Sequence, residues 1–248
     1  MDLHQAVHLP RQHISGEQEE LRPFQCGVIP NCLVIMTARK VIRRGTRRTV
    51  GKFPTLKPKK RCVHWESMLE RDFYYLLEID HDVISYREQP LKIEYFLDGK
   101  KHRYTPDLLV ERAMRKQIVE VKPKKKVQKY DSLFRIASRI CQENGYEFLV
   151  VTDEEIRAQP KLNNIKLLWR YSRTHICPQH QIACHEFFGM RNEASLREVL
   201  EFFASGGISQ QVVYGLLYWG ILEINLMIPI DVNSTVSLPR TALDTREG

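Results

Sequence analysis

The stretch from Trp65 to Val151 constrains the fold more than any other part of the chain. Trp65, Met68, Leu69, Phe73, Leu76 and Leu77 recur on one side of a helical period, which predicts a helix over residues 65–79. Leu91, Ile93, Tyr95 and Leu97 alternate with Lys92, Glu94 and Phe96, a strand pattern with one imperfect position. Asp98-Gly99 follows, a dipeptide favoured in tight hairpins, so residues 101–104 should return beside it. Residues 107–110 and 118–122 predict two more strands. Val127, Tyr130, Leu133, Phe134, Ala137, Ile140 and Cys141 share one face of a helix over residues 127–143, which Asn144-Gly145 ends. Residues 148–151 are a short buried strand. Helix, four strands, helix and strand is the order of a mixed α/β core.

After Arg170 the character of the chain changes. Residues 196–203 and 209–219 predict two helices joined at Ser205-Gly206-Gly207, with Gly220 stopping the second. Residues 221–230 and 235–238 read as paired strands. Helix, tight turn, helix and ribbon is the outline of a winged helix. The expected division is a basic arm over residues 1–60, an α/β domain over 61–171 and a small winged-helix-like domain over 172–248.

Charge follows the same division. The 248 residues carry 38 Lys+Arg and 30 Asp+Glu, a net of +8. Residues 171–248 contain five Arg, no Lys and eight acids, so the excess sits entirely before them. Between residues 21 and 64 there is no acidic residue, whereas Arg39, Lys40, Arg43, Arg44, Arg47, Arg48, Lys52, Lys57, Lys59, Lys60 and Arg61 accumulate. Such a run repels itself and suits a polyanionic partner, nucleic acid above all. No apolar stretch reaches the roughly 18 residues of a membrane span. The N-terminus lacks the apolar run of a secretory signal. Six dispersed cysteines suit reduced thiols better than a disulfide framework. A cytoplasmic, DNA-associated protein is expected.

One constellation carries chemistry. Asp107 follows Pro106 at the start of a strand, and Glu120 and Lys122 are two apart on the next, so their side chains share a face. If these strands form a hairpin, its midpoint lies between Ala113 and Met114. Asp107 then stands opposite Glu120, with Cβ atoms about 5 Å apart. Two carboxylates that close repel unless a cation lies between them. Magnesium, a hard ion, takes such oxygen ligands. Asp107, Glu120 and the Val121 carbonyl can hold one ion, Lys122 can orient the attacking water, and Glu66 can reach a second ion. Two ions stabilise both the entering and the leaving oxygen in phosphodiester hydrolysis. The competing reading is a strand-edge salt bridge on a solvated face.

These residues carry a resemblance. Glu66, Pro106-Asp107 and Glu120-Val121-Lys122, in this order, resemble the PD-(D/E)xK superfamily, the fold of type II restriction enzymes. More narrowly, the segments 84–90 (ISYREQP), 104–107 (YTPD), 119–123 (VEVKP), 151–156 (VTDEEI) and 164–171 (NIKLLWRY) resemble TnsA, the endonuclease subunit of heteromeric, Tn7-like cut-and-paste transposases. The resemblance runs from about Trp65 to Tyr171. It implies a restriction-endonuclease-like mixed-sheet core followed by a winged-helix domain. The implied activity is Mg2+-dependent cutting of the non-transferred (5') strands at transposon ends, with Mn2+ as a substitute ion. It also implies a TnsB-like transposase and a TnsC-like ATPase regulator as partners, in a bacterial cytoplasm. The family's active-site carboxylates fall on Glu66, Asp107 and Glu120 and its lysine on Lys122; some members have Gln in place of Glu120. A restriction or repair nuclease acting alone and a non-catalytic DNA-binding scaffold are the alternatives.

Three further features belong with this reading. Lys124, Lys125, Lys126 and Lys129 follow the active strand and, with Arg43, Arg44, Arg47 and Arg48, can line a DNA groove. Gln89 can help hold the site. His175, Cys177, His180, Cys184 and His185 have spacings compatible with zinc, although there is no second Cys-x-x-Cys pair.

Overall fold

The computed structural model describes residues 50–57, 62–97 and 100–239. Arg43, Arg44, Arg47, Arg48, Lys59, Lys60, Arg61 and the expected Asp98-Gly99 turn lie outside these residues. The chain divides into two compact units. Among the described residues, one takes in those from 50 to 71 and from 81 to 155, and the other takes in Asp72–Asp80 and residues 156–239.

In the first unit β1 (Gly51–Pro54) pairs antiparallel with β2 (Cys62–Trp65). Ser67 then starts α1 (Met68–Ile79), three residues later than the apolar stripe alone predicts, and Trp65 lies in β2. β3 (Val83–Glu88) follows, and β4 (Ile93–Leu97) and β5 (Lys100–Tyr104) form a separate antiparallel ribbon. β6 (Leu108–Arg112) and β7 (Lys116–Lys122) make the expected hairpin. A four-residue turn α2 (Lys124–Val127) and α3 (Asp131–Glu143) lead to β8 (Glu147–Thr152).

The main sheet has the order β3-β6-β7-β8. β6 is antiparallel to both of its neighbours, whereas β7 and β8 are parallel, because α3 crosses over between them. Leu91, Ile93, Leu109, Ile118, Ala137, Ile140 and Cys141 form the core between the sheet and α3. Each leucine or isoleucine among them, fully buried, contributes about 1.5–3 kcal/mol. Asn144 Nδ2 donates to the Ile140 carbonyl at 2.7 Å, and Gly145 takes φ +76°, so the helix ends where the Asn-Gly pair predicts. This mixed α/β core is consistent with a restriction-endonuclease-like fold. β3 was not expected.

The second unit contains the last two turns of α1, α4 (Asp153–Ile156) at its boundary, α5 (Lys161–Trp169), α6 (Pro178–Phe188), β9 (Glu193–Ser195), α7 (Leu196–Ser205), α8 (Gln210–Tyr218), β10 (Glu223–Ile224) and β11 (Thr235–Ser237). Its sheet has the order β10-β11-β9. The expected strand over residues 221–230 shrinks to two residues. The carbonyls of Leu226 and Ile228 instead accept from Asn164 Nδ2 at 3.0 and 2.7 Å. Among the described residues no helix is long and apolar enough to cross a membrane.

Candidate active site

The β6–β7 register pairs Leu108 with Val119. Extended by one residue, it sets Asp107 across from Glu120. Asp107 lies just outside β6, anchored on both sides: its carbonyl accepts from the Gln89 N–H at 2.8 Å, and its Oδ2 accepts from the Val121 N–H at 2.8 Å. Val121 therefore meets Asp107 through its amide. Oδ1 is left as the donor atom Asp107 can offer to an ion.

Glu120 is 3% exposed, on the central strand of the sheet. One carboxylate oxygen accepts from the Tyr104 hydroxyl at 2.6 Å, and the other pairs with Lys122 Nζ at 2.5 Å. Lys122 also lies over the Tyr130 ring, 5.1 Å from its centroid. Tyr104, at the end of β5, was not expected in the site. Its phenol is held well above the ordinary range by burial, then by the Glu120 charge and hydrogen bond, so it remains a donor.

A third carboxylate comes from α1. Ser67 Oγ accepts from the Glu70 N–H at 3.2 Å and donates to Glu70 Oε1 at 2.8 Å, while the Glu66 N–H donates to Glu70 Oε2 at 2.9 Å. This serine cap holds Glu70 within electrostatic reach of Asp107 and Glu120. Glu66, the helix carboxylate expected from the sequence, lies near Glu70, and its negative charge helps to raise the Glu70 carboxyl. Glu70 was missed, although Ser67-x-x-Glu70 is a readable helix-start signal.

The electrostatics are those of an overfilled anionic site. Asp107 is pushed well above the usual carboxylate range, first by burial and then by the charges of Glu120 and Glu70; the Val121 N–H and Lys122 offset this only in part. Glu70 is raised by burial, against the lowering effect of its bonds to Glu66 and Ser67, with Glu66 and Glu120 adding to the rise. Burial opposes the charge on Lys122, but Glu120 and Asp107 outweigh it and raise the ammonium above its ordinary value. Asp107 and Glu120 thus share one lysine, with Glu70 as a further negative neighbour.

A divalent cation is the group such a site suits. Its donors are all hard oxygens, and Asp107 keeps one oxygen available. Among the described residues no three His, Cys, Asp or Glu side chains already converge as a metal cluster. Each oxygen of Glu120 is engaged once, by Tyr104 or by Lys122, and keeps a further lone pair that a cation could use.

Lys124, Lys125, Lys126 and Lys129 are exposed just beyond β7, and the Lys124 N–H donates to Asp153 Oδ1 at 2.7 Å. In the Cys/His segment, His180 Nδ1 accepts from the Cys177 N–H at 3.2 Å as part of the α6 cap. Cys184 is fully buried, which pushes its thiol up to about 11.

Residues 80–153 match the sequence model of a family described as TnsA-like endonuclease N terminal. The match covers β3 to β8, and with them Asp107, Glu120 and Lys122. It supports a TnsA-like, nuclease- and transposase-associated assignment for this segment. No curated protein matches the chain.

Proposed function

We propose that the chain is a Mg2+-dependent DNA endonuclease, the strand-cutting subunit of a Tn7-like transposase that acts on the non-transferred (5') strands at transposon ends. The observation that supports this best is the meeting of Asp107, Glu120, Lys122 and Glu70 at one end of the β6–β7 hairpin, inside the segment that matches the TnsA-like endonuclease family. Asp107, Glu120 and the α1 carboxylates Glu70 and Glu66 would hold the metal, with the Val121 carbonyl as a further oxygen. Bound there, the metal supplies Lewis acidity and an activated water. Lys122, kept protonated by Glu120, presents positive charge to the phosphate undergoing attack. Tyr104 fixes one oxygen of Glu120 and so sets the direction of the other.

The wider assignment goes with the same reading. Lys124, Lys125 and Lys126, with the arginines of the arm over residues 1–60, contact DNA phosphates. A nuclease domain over residues 61–171 and a winged-helix-like domain over 172–248 divide the work, the latter docking a basic protein partner because its balance is acidic. A TnsB-like transposase and a TnsC-like ATPase are the partners this reading requires.

The test is strand cleavage of transposon-end DNA with Mg2+ or Mn2+, in the presence of those partner subunits. Asp107→Ala should cut cleavage by about a thousandfold, since several kcal/mol of transition-state stabilisation go with a metal ligand. Folding and DNA binding should remain. Cleavage by Asp107→Ala at the wild-type rate would overturn the reading.

A further inference from the structure

Gln89 is the one described non-glycine residue with positive φ, at +43°. Such a backbone is uncommon for a residue with a side chain and is maintained only where its surroundings enforce it. Pro90 follows, and a proline by itself drives its predecessor toward extended backbone. The enforcement is visible. Glu88 pairs with Leu108 at the end of β3, and its side chain meets His64 Nδ1 at 3.2 Å. The Gln89 N–H then donates to the Asp107 carbonyl at 2.8 Å.

Extending both registers by one residue places Gln89, Asp107 and Glu120 in a single row across three adjacent strands, β3, β6 and β7. Two members of that row are the central carboxylates of the site. The third is an uncharged carboxamide whose Oε1 is buried and finds no hydrogen-bond partner among the described residues. A buried amide oxygen without a donor is costly and rare in a native protein. Strain and an unmet acceptor therefore coincide on one residue, one strand away from Asp107.

We propose that Gln89 is part of the active site, its carboxamide oxygen accepting a hydrogen bond from a water molecule held beside Asp107. The inference rests on the nuclease reading and adds to it a residue that orients water without bearing charge. An acceptor suits that role, because a water bound to a cation at Asp107 turns its hydrogens outward and needs an acceptor to fix them. A fourth carboxylate would add to the repulsion already present. Groups that orient metal-bound ligands in this way typically matter by about ten- to a hundredfold in metal affinity or activity.

The backbone conformation makes a clean test available. Glycine tolerates positive φ, so Gln89→Gly removes the side chain and relaxes the strain together. Asparagine also tolerates it and keeps an amide. The full chain is titrated with Mn2+ by thermal melting, and nicking of plasmid DNA is followed alongside. Gln89→Gly should melt at or above the wild-type temperature without metal, yet bind Mn2+ about tenfold or more weakly. Gln89→Asn should recover part of that affinity. The proposal fails if Gln89→Gly binds Mn2+ as the wild type does. It fails equally if the variant melts lower without metal, because the side chain would then be supporting the fold. A wild-type chain that gains no stability from millimolar Mn2+ would remove the nuclease reading first, and this inference with it.

Discussion

Among the described residues two helices begin with the same Ser-x-x-Glu pattern, and their carboxylates shift in opposite directions. Ser67-x-x-Glu70 opens α1 and Ser195-x-x-Glu198 opens α7; in each the serine accepts from the glutamate N–H and the glutamate carboxylate answers it. Glu198 is exposed, and its bonds to Ser195 lower its pKa, as expected of a carboxylate at a helix N-terminus. Glu70 is raised, because burial and neighbouring carboxylates outweigh the same kind of hydrogen bond. The local motif fixes where a carboxylate stands. Its surroundings decide whether that carboxylate is lowered or raised.

The widest break between the two should come from Glu70→Gln against Glu198→Gln. Metal-dependent cleavage should fall about a hundredfold in the first, in line with losing a group that holds or orients a metal. It should be unchanged in the second. Equal rates for the two variants would show that α1 contributes only a cap.

Buried aspartates extend the contrast. Asp72 is buried with two cations on it, Arg157 at 2.9 Å and Lys166 at 2.8 Å. Asp107 shares one lysine with Glu120 and also faces the charge of Glu70. Asp72→Asn should therefore cost about 2–3 kcal/mol, at the low end for a buried pair because Arg157 and Lys166 keep access to water. Asp107→Asn keeps an oxygen to accept the Val121 N–H and removes the crowding. Without metal its melting temperature should rise by about 3 °C while cleavage is lost, the trade expected where a site is built against stability. Denaturation of both variants measures this directly, and a destabilised Asp107→Asn would contradict it.

The same asymmetry has a pH dependence of fixed sign. The folded pKa values of Asp107 and Glu70 lie above their unfolded values, so between the two the folded state binds more protons and stability falls as pH rises. Below the unfolded value of about 4 the penalty is absent; above the raised folded values it is complete. The gap in unfolding free energy between Asp107→Asn and the metal-free wild type should thus widen from about pH 4 upward, and close when Mg2+ is added. A gap that is flat with pH would mean that Asp107 is not crowded.

Much of this was legible in the sequence because it depends on short-range geometry. The β6–β7 hairpin has its centre between Ala113 and Met114, so counting outward was enough to set Asp107 opposite Glu120. β3 was hidden because a register irregularity between Val83 and Ser85 disrupts its alternation and leaves Ile84 60% exposed. The start of α1 was misplaced because Trp65 extends the apolar stripe by coincidence of spacing, while the serine cap at Ser67 sets the boundary. Tyr104 and Asn164 could not be read at all. Tyr104 meets Glu120, 16 residues on, and Asn164 meets Leu226, 62 residues on, and neither contact leaves a periodic trace.

The smallest effect separates the two serine caps most finely. Ser195→Ala should cost about 1 kcal/mol, the usual loss on removing a serine cap, and nothing in cleavage. Ser67→Ala should cost a similar amount in stability, since the Glu70 N–H loses its acceptor in the same way. It differs in what it releases: Glu70 Oε1 loses the hydroxyl at 2.8 Å, and only the Glu66 N–H on Oε2 still fixes the carboxylate. A carboxylate held at one oxygen turns about that bond, so Ser67→Ala should weaken Mn2+ binding about three- to tenfold, short of the full loss of an orienting group. Thermal melts of both variants with and without Mn2+ make the comparison. If both lose stability alike and only Ser67→Ala loses metal response, the cap of α1 also positions a ligand. If neither changes its metal response, Glu70 is held in place by packing, and the resemblance between the two caps stops at the helix start.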